Sequence, residues 1–371
     1  MAEAHTDDAR WMARALELAA RGVARAHPNP MVGAVVVRDG RVVGEGFHLY
    51  DRRDHAEVLA LRQAGPRARG ATLYVNLEPC SHTGRTPPCV EAIIAAGIRR
   101  VVAAMPDPNP AVHGRGFARL RRAGIAVTMG VARRQAEELN DAFAVWIRTR
   151  RPRVLLKAAM TLDGQLSLPP GYPRRITGPE AHRRVQELRH AADAVLTGIG
   201  TVLADDPLLT DRTGLPRRRP LLRVILDSRL RLPVQSRLVR SAADDVVVFT
   251  IEAAPASRER RLRQAGVEVV RVPARNGHPD LGAVLAELGR REILSLLVEA
   301  GARVNGALLA AGLVDRVVFF YAPRMAGRVT VPLAASEQRL RKLPKLLEPR
   351  LGQYGEDFAV EGYLRDVYRN H

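Results

Sequence analysis

One histidine, one glutamate and two cysteines form the group of residues in this chain whose types and spacing could do chemistry. His55 and Glu57 stand two residues apart, and Cys80 and Cys89, the two cysteines of the sequence, follow downstream. Imidazole and thiolate are ligands that zinc prefers, and three protein ligands leave the fourth position open for water, as catalysis requires. The pattern therefore predicts zinc held by His55, Cys80 and Cys89, beside Glu57 as the carboxylate that moves protons.

Zinc, an activated water and a proton-carrying carboxylate are the parts that a hydrolytic deaminase of a nucleobase-like ring requires. The alternative is that two buried cysteines and an ordinary surface histidine occur in this order by coincidence. A lone cysteine or a lone His-x-Glu would favour that alternative. The ordered set of His-x-Glu, Pro-Cys and a second Cys favours the metal site.

The predicted secondary structure places these residues at the ends of helices and strands. His55 precedes a helical pattern over residues 56–63, and Cys80 follows an apolar, strand-like run over 71–77. Two prolines precede Cys89 and a second predicted helix over 90–96, and proline suits the start of a helix. Near a helix N-terminus, the helix dipole favours the thiolate form that binds metal.

The pattern along the chain predicts an α/β protein of two domains. Residues 1–150 alternate helices and strands, which predicts a mixed sheet with helices on both faces and a long closing helix over 133–148. The charged, proline-interrupted segment 148–153 predicts a linker to a second α/β domain, residues 151–371. The strands expected in that domain cover residues 154–159, 194–197, 221–226, 246–250, 267–272, 293–298 and 316–321, and the helices cover 179–190, 257–265, 280–289 and 304–311.

The charge of the chain invites a different class of function. A formal net charge of +19 would fit a nucleic-acid-binding protein. However, all but three of the 58 basic residues are arginine, spread along the whole chain, which indicates a compositional bias. The excess charge also suits a phosphorylated substrate and cofactor. No apolar run approaches the roughly 20 residues that span a bilayer. We therefore expect a cytoplasmic protein without nucleic-acid or membrane partners, and we also expect it to form a homo-oligomer.

The zinc motif lies within a longer series of motifs. They are His27-Pro28-Asn29-Pro30, Gly44-Glu45-Gly46-Phe47-His48, Leu77-Glu78-Pro79-Cys80, Thr86-Pro87-Pro88-Cys89 and Asp107-Pro108-Asn109-Pro110. Together they closely resemble the bifunctional deaminase-reductases of riboflavin biosynthesis, over nearly the whole chain. Cytidine and tRNA adenosine deaminases typically carry Pro-Cys-x-x-Cys, whereas eight residues separate Cys80 from Cys89. That wide spacing is typical of the riboflavin branch.

The resemblance implies a cytidine-deaminase-like fold and specific roles for the first domain. Glu57 would take a proton from the water that zinc activates and deliver it to the leaving ammonia. Asn29 and His48 would line the pyrimidine pocket. His82 and Arg85, between the two cysteine ligands, would contact the ribose phosphate end of the substrate.

The second half resembles the reductase domain of the same family, which is similar to dihydrofolate reductase in fold and uses NADPH. The resemblance rests on Lys157, on Thr161-Leu162-Asp163-Gly164, and on the segments 201–210 and 298–301. The half lacks the G-x-G-x-x-G of a Rossmann fold. Glycines at 198–201 and 301–306 follow predicted strands, where a turn into a helix could present N–H groups to phosphate.

The resemblance also implies two sets of residues in the reductase domain. The set that would hold the ribosylamine phosphate comprises Arg189, Asp205, Leu209, Arg212 and Glu299. The set that would hold NADPH comprises Ala159, Arg175, Thr201, Asp205, Ser228, Gly301, Ala302 and Arg303. The family commonly has Ser-x-Trp before Ile-Thr, but this chain has Pro173 and Arg175 there, so Arg175 replaces an aromatic cofactor contact. No general acid or base is evident, and alignment of cofactor and substrate would supply most of the catalysis.

The resemblance as a whole implies a two-step enzyme of riboflavin biosynthesis. The first domain would hydrolytically remove an amino group from a diaminopyrimidine ribosylamine phosphate, and the second would reduce the ribosyl group to a ribityl chain with NADPH. Three alternatives stay open: a deaminase with a degenerate reductase half, a nucleic-acid deaminase with a basic appended domain, and a zinc-stabilised binding protein. The wide cysteine spacing argues against the nucleic-acid deaminase.

Overall fold

A computed structural model of the chain describes residues 2–82, 87–172, 175–327, 331–335 and 344–368, with side chains from residue 7 onward. The chain forms two compact units, one up to Thr149 and one from Arg150. Among the described residues, no helix is both long and apolar enough to cross a membrane.

The first unit alternates helices and strands. Its elements are α1 (Ala2–Ala20), β1 (Gly33–Arg38), β2 (Arg41–Phe47), α2 (Ala56–Ala64), β3 (Thr72–Val75), α3 (Cys89–Ala95), β4 (Arg100–Ala103), α4 (Arg115–Arg122), β5 (Ala126–Met129), α5 (Arg133–Leu139) and α6 (Asp141–Thr149). The strands form one sheet in the order β2-β1-β3-β4-β5. β1 is antiparallel to β2 and β3, whereas β3, β4 and β5 run parallel. The predicted mixed sheet is confirmed.

The predicted long helix over 133–148 is wrong, because the chain breaks at Asn140 between α5 and α6. The Asn140 side chain is 1 % exposed, and its amide group accepts a hydrogen bond from the Met31 N–H at 2.8 Å and donates one to the Met31 carbonyl at 3.0 Å. The buried Asn76 amide also donates to that carbonyl, at 2.9 Å. An asparagine that satisfies the backbone of another segment is a weak helix former. The break thus fixes the segment that carries Asn29.

The second unit is a longer α/β series. Its elements are β6 (Arg153–Thr161), α7 (Pro179–Ala191), β7 (Ala194–Gly198), α8 (Ile199–Asp205), β8 (Leu222–Leu226), α9 (Arg237–Arg240), β9 (Val246–Ile251), α10 (Ala256–Gln264), β10 (Glu268–Val272), β11 (Ala274–Arg275), β12 (His278–Pro279), α11 (Leu281–Arg290), β13 (Ser295–Val298), α12 (Ala302–Ala310), β14 (Arg316–Ala322), β15 (Leu347–Tyr354) and β16 (Asp357–Tyr363). Nine strands form a sheet in the order β10-β9-β8-β7-β13-β6-β14-β16-β15.

The sheet of the second unit is buried on both faces. Its strands from β10 to β14 run parallel, and β16 and β15 add an antiparallel edge. Side chains alternate between the faces of a strand, so neighbours such as Val154 and Leu155 enter different cores. Parallel sheets covered on both faces consist of nearly continuous apolar strands, which is why the sequence predicted these strands well.

The sequence did not predict the C-terminal hairpin or the helix after β7. Most of β15 is exposed and it has no apolar run, so neither periodicity nor composition indicated a strand. α8 begins directly after β7, and the glycines expected to form a turn stand at its N-cap and first turn. Gly306 lies inside α12 rather than in a turn, and a Cβ there would lie 2.4 Å from the Ala335 carbonyl oxygen. Close backbone packing therefore accounts for Gly306.

Candidate functional site

The three predicted zinc ligands meet in the first unit. Nδ1 of His55 and the Sγ atoms of Cys80 and Cys89 all lie within 4.8 Å of one another. Nδ1 of His55 is 3.0 Å from Sγ of Cys89 and 3.5 Å from Sγ of Cys80. Zinc binds nitrogen at about 2.0–2.1 Å and sulfur at about 2.3 Å, so one ion fits between donors at these separations. The donor set and its geometry both suit zinc.

Local structure explains why these residues converge. His55 is the N-cap of α2, with extended backbone angles of φ −76° and ψ 162°, and Glu57 lies in the first turn of that helix. Cys89 is the first residue of α3, after the N-cap Pro88. α2 lies directly on β2, because a Cβ on Gly46 would be only 2.3 Å from the Ala56 carbonyl oxygen. The glycine thus allows the close approach that sets the position of His55 and Glu57.

The two thiols differ in their affinity for protons. The side chain of Cys89 donates a hydrogen bond to Cys80, and this bond is the main reason why the pKa of Cys80 lies below the ordinary value of a thiol. The Cys89 backbone N–H also donates to Sγ of Cys80, at 3.3 Å. The same thiol–thiol bond, together with burial, raises the pKa of Cys89. Zinc binds thiolates, so its binding would release the proton that Cys89 retains more strongly.

Glu57 is buried beside the ligands. Its side chain is 3 % exposed, and burial raises the pKa of its carboxyl group above the ordinary value, while the nearby His55 charge opposes that rise. A carboxyl group that retains its proton more strongly can release it as a general acid nearer neutral pH. The arrangement therefore provides both parts that hydrolytic deamination requires.

The two predicted pyrimidine-pocket residues contact each other, and one of them contacts a predicted zinc ligand. The Asn29 amide donates to Nε2 of His48 at 2.9 Å, and Nδ1 of His48 is 3.4 Å from the Asp54 carbonyl oxygen. The ring of His48 packs edge-to-face on the ring of His55, with centroids 5.5 Å apart. His48 thus connects Asn29 to the predicted zinc ligand His55.

The predicted phosphate contacts of this unit are less well defined. His82 is exposed, two residues after Cys80. Arg85 lies outside the described residues. The structure therefore brings His48 into direct contact with the predicted zinc ligand His55, joins Asn29 to His48, and shows no such contact for His82.

Glu78 is a functional candidate to which the sequence analysis assigned no role. Its carboxylate is 2 % exposed and accepts four backbone N–H bonds. The donors and their distances are Asp107 at 3.1 Å, Gly114 at 2.9 Å, Gly116 at 2.9 Å and Phe117 at 3.3 Å. Glu78 stands two residues before Cys80, so it ties the cysteine-bearing segment to the start of α4. Its place within the Leu-Glu-Pro-Cys motif was the available signal.

We predict that Glu78→Gln weakens the metal site without touching a ligand. An amide offers one oxygen and places an NH₂ group among N–H donors, so the first unit should lose about 2–3 kcal/mol of stability and bind zinc more weakly. Thermal unfolding and metal content measure the two effects. Glu91→Gln is the matched control, since among the described residues Glu91 on α3 pairs with Arg119 alone, at 2.9 Å and half exposed. Equal zinc content and stability in both variants would contradict the role of Glu78.

A buried ionic cluster marks the second unit. The Glu299 carboxylate lies 2.6 Å from Nε of Arg189 and 3.6 Å from Nζ of Lys157, and all three side chains are 12 % exposed. Burial alone would raise the pKa of Glu299, but the two cations outweigh it and lower the pKa to about 2. Burial lowers the pKa of Lys157, and Glu299 opposes that shift. Arg189 also donates to the Thr210 carbonyl at 3.1 Å, which connects the cluster to the loop after α8.

Lys157 is the member of this cluster to which the sequence analysis gave no role. The chain has three lysines among its 58 basic residues. In a chain that uses arginine almost everywhere, a lysine inside the apolar strand β6 indicates that an ammonium group is needed there. That compositional exception was a signal that could have identified Lys157.

Several of the predicted cofactor residues stand at or just after the carboxyl ends of neighbouring parallel strands in the second unit. β8, β7, β13 and β6 are parallel neighbours, so the residues at their carboxyl ends meet at one edge. Thr201 and Gly301 are close, since a Cβ on Gly301 would lie 3.6 Å from Oγ1 of Thr201. Gly301 is the N-cap of α12 and Ala302 is its first residue. A helix N-terminus of this kind suits a phosphate group of NADPH.

The other members of the two predicted sets lie on several different elements of the second unit. Ser228 follows β8, and its hydroxyl lies 3.1 Å from Nδ1 of His278. Leu209 is buried, with a left-handed φ of 54°. The remaining members are Ala159 within β6, Asp205 at the end of α8 and the exposed Arg303 in α12. Pro173 lies outside the described residues.

Comparisons with known protein families agree with this two-part organisation. The description "Cytidine and deoxycytidylate deaminase zinc-binding region" matches residues 5–105, and "RibD C-terminal domain" matches residues 152–360. The riboflavin biosynthesis protein RibD of Escherichia coli K12 is 45 % identical over 331 residues, covering 86 % of this chain and 89 % of the relative. RibD of Bacillus amyloliquefaciens is 41 % identical over 370 residues, covering 97 % and 99 %.

Solved structures show the same similarity over both units. A RibD structure from Acinetobacter baumannii superposes with a TM-score of 0.83 at 37 % identity, covering 97 % of this chain and 99 % of the other. A diaminohydroxyphosphoribosylaminopyrimidine deaminase/5-amino-6-(5-phosphoribosylamino)uracil reductase from Thermotoga maritima gives the same TM-score, identity and coverage. Since both domain descriptions and relatives of nearly full length agree, the chain belongs to the RibD family of riboflavin-biosynthesis proteins, which unite a deaminase and a reductase.

Proposed function

We propose that residues 1–150 deaminate a diaminopyrimidine ribosylamine phosphate and that residues 151–371 reduce the ribosyl group of the product. The observation that carries the proposal is the set of three zinc-ligand atoms within 4.8 Å, with the buried Glu57 two residues from His55. Family membership supplies the substrate class, since the relatives are named for riboflavin biosynthesis.

In the deaminase unit, His55, Cys80 and Cys89 would hold zinc, which supplies the Lewis acidity that makes water nucleophilic near neutral pH. Glu57 accepts a proton from the attacking water and transfers it to the amino group that leaves as ammonia. One carbon–nitrogen bond breaks and one carbon–oxygen bond forms. Asn29 and His48 orient the pyrimidine, and His82 and Arg85 would hold the phosphate end.

In the reductase unit, the parts proposed for the substrate are Arg189, Asp205, Leu209, Arg212 and Glu299. The parts proposed for NADPH, the source of the two electrons, are Ala159, Thr201, Asp205, Ser228 and the Gly301–Arg303 turn. Reduction of a ring-opened carbon–nitrogen double bond leaves the nitrogen in need of a proton. Nζ of Lys157 can donate it, because burial lowers the pKa of this ammonium and Glu299 holds it in place.

The proposal also covers partners and location. Arginine is spread along the whole chain, which supports a small-molecule substrate without a nucleic-acid or membrane partner. A cytoplasmic homo-oligomer completes the proposal. The alternative of a degenerate reductase half has no support, because the RibD C-terminal description matches residues 152–360 and the cluster around Glu299 is complete.

Turnover of the diaminopyrimidine substrate with and without NADPH tests the two activities separately. Without NADPH we expect the deaminated ribosyl product alone, and with NADPH the ribityl product. A zinc chelator should abolish deamination, while NADPH oxidation by the deaminated substrate continues. Product chromatography and absorbance of NADPH measure these steps. Deamination that persists after complete zinc removal, or the absence of NADPH oxidation, would overturn the corresponding half of the proposal.

A further inference from the structure

A basic cavity lies at the start of α7 in the second unit. Its volume is about 420 Å³, and three arginines and one histidine contribute to its wall. The complete lining is Arg175, Thr177, Gly178, Pro179, His182, Arg183, Gln186 and Arg212. None of these described residues is acidic, so the cavity is suited to an anion.

Two of the arginines in the cavity wall lack an acidic partner in the part of the chain that the structure describes. Among the residues that the structure describes, neither Arg175 nor Arg212 has a carboxylate within ion-pair distance, whereas Arg183 lies 3.5 Å from Glu180. Gln186 accepts a hydrogen bond from the Arg212 backbone N–H at 2.9 Å, which fixes that loop beside α7. Two exposed guanidinium groups on one cavity wall can both donate to the oxygens of one phosphate group.

Several positive charges near the cavity lower the pKa of His182. Burial lowers the pKa of its imidazole, and four nearby cations lower it further: Lys157, Arg175, Arg212 and Arg189. The charge of Arg175 therefore acts on the same side chain as Lys157 and Arg189, the cations that bind Glu299. The cavity wall that Arg175 shares with Arg212, a residue of the proposed substrate set, places Arg175 on the substrate side of the site.

The residues proposed for NADPH lie elsewhere. None of Thr201, Ser228 and the Gly301–Arg303 turn lines the basic cavity, which Arg175 shares with Arg212. We infer that Arg175, together with Arg212, binds the phosphate monoester of the reductase substrate instead of contacting the cofactor. The inference rests on the proposed reductase function. It means that this chain has exchanged an aromatic cofactor contact for a second phosphate ligand.

Four variants test the inference: Arg175→Ala, Arg175→Lys, Arg175→Trp and the control Arg184→Ala. Arg184 is the next residue of α7 after the cavity residue Arg183 and pairs only with Glu187 among the described residues, at 2.8 Å. Loss of a charge-assisted contact should raise the KM for the phosphorylated substrate about 10- to 100-fold in the Ala and Trp variants. The Lys variant should keep most of the affinity, and the control all of it.

Binding of NADPH, measured by fluorescence titration, separates the two roles. We expect its Kd to change less than about twofold in all four variants, because the lost interaction is with substrate. The KM effect should disappear with the substrate lacking its phosphate. If Arg175→Ala weakens NADPH binding and leaves the substrate KM unchanged, or if Arg175→Trp tightens NADPH binding without harming the substrate KM, the inference is overturned.

A direct binding measurement distinguishes this inference from the proposed function. Inorganic phosphate is titrated calorimetrically into the NADPH-saturated protein, so that cofactor phosphate sites are filled. Wild type and Arg184→Ala should bind phosphate, and Arg175→Ala should bind it at least about tenfold more weakly. Equal binding by Arg175→Ala would refute the inference even if the enzyme reduces its substrate. Failure of the wild type to oxidise NADPH would refute the proposed function instead.

Discussion

Glu57→Gln is expected to abolish deamination while zinc stays bound. The amide keeps the shape of the side chain but cannot accept a proton from water or pass one to the leaving amine. General acid–base catalysis contributes about 10²- to 10⁴-fold, so we expect a rate loss of at least about 10³-fold when both proton transfers fail. Ammonia release measures the rate, and metal analysis should find one zinc per chain.

The same variant carries its own internal control. Reduction of the deaminated substrate depends on residues of the second unit, so NADPH oxidation by Glu57→Gln should equal that of the wild type. Glu45→Gln is the matched control in the first unit, because Glu45 lies on β2 and pairs with Arg14 at 2.7 Å. It should retain deamination. Full ammonia release by Glu57→Gln would exclude Glu57 as the proton carrier.

The metal site could be predicted from the sequence because its chemistry is local. Two of the three predicted ligands are fixed by their own neighbours: His55 by the start of α2, and Cys89 by a proline and the start of α3. Rare residue types carry the signal, since both cysteines of the chain belong to the site. Apolar strands of the second unit were equally predictable, because a sheet covered on both faces requires them.

What the sequence could not give depends on partners far along the chain. Glu78 acts through backbone N–H groups up to 39 residues away. Asn140 ends a helix to satisfy Met31, 109 residues earlier. The ion pair of Glu299 and Arg189 also joins distant segments, since the two residues stand 110 positions apart in the sequence. Periodicity describes a segment and its buried face, and it contains no information about which distant backbone a polar side chain satisfies.

Arg175 shows a further limit of motif comparison. A departure from the family's Ser-x-Trp pattern identifies a changed residue, but the pattern assigns to the new residue the role of the old one. The structure places Arg175 on the cavity wall with Arg212, from which we infer a substrate contact for it. A guanidinium group binds different partners from those of an aromatic ring, so an arginine need not make the contact of the aromatic residue that it replaces.

Glu299→Gln is expected to have the largest effect in the second unit. The substitution leaves Lys157 and Arg189 buried without a compensating negative charge, and breaking a buried ionic cluster in this way costs about 3 kcal/mol or more. The displaced Lys157 and Arg189 would no longer align the substrate, and misplacement by about 1 Å can cost about 100-fold in rate. We therefore expect NADPH oxidation to fall at least about 100-fold, with deamination unchanged.

The acid stability of the second unit provides an independent check on Glu299. Its pKa is lowered from the ordinary 4.5 to about 2 in the folded protein. A carboxyl group with a lowered folded pKa stabilises the protein fully above 4.5, and that stabilisation is lost as the pH falls towards 2. The loss corresponds to about 3 kcal/mol, and Glu299→Gln should lack it. The free energy of unfolding, measured with urea between pH 5 and 2, should therefore depend less on pH in the variant than in the wild type. The control for the activity measurement is Glu361→Gln, which breaks the Arg316–Glu361 pair at 3.0 Å and should keep NADPH oxidation. Parallel pH profiles for wild type and Glu299→Gln would show that the cluster does not hold Glu299 ionised.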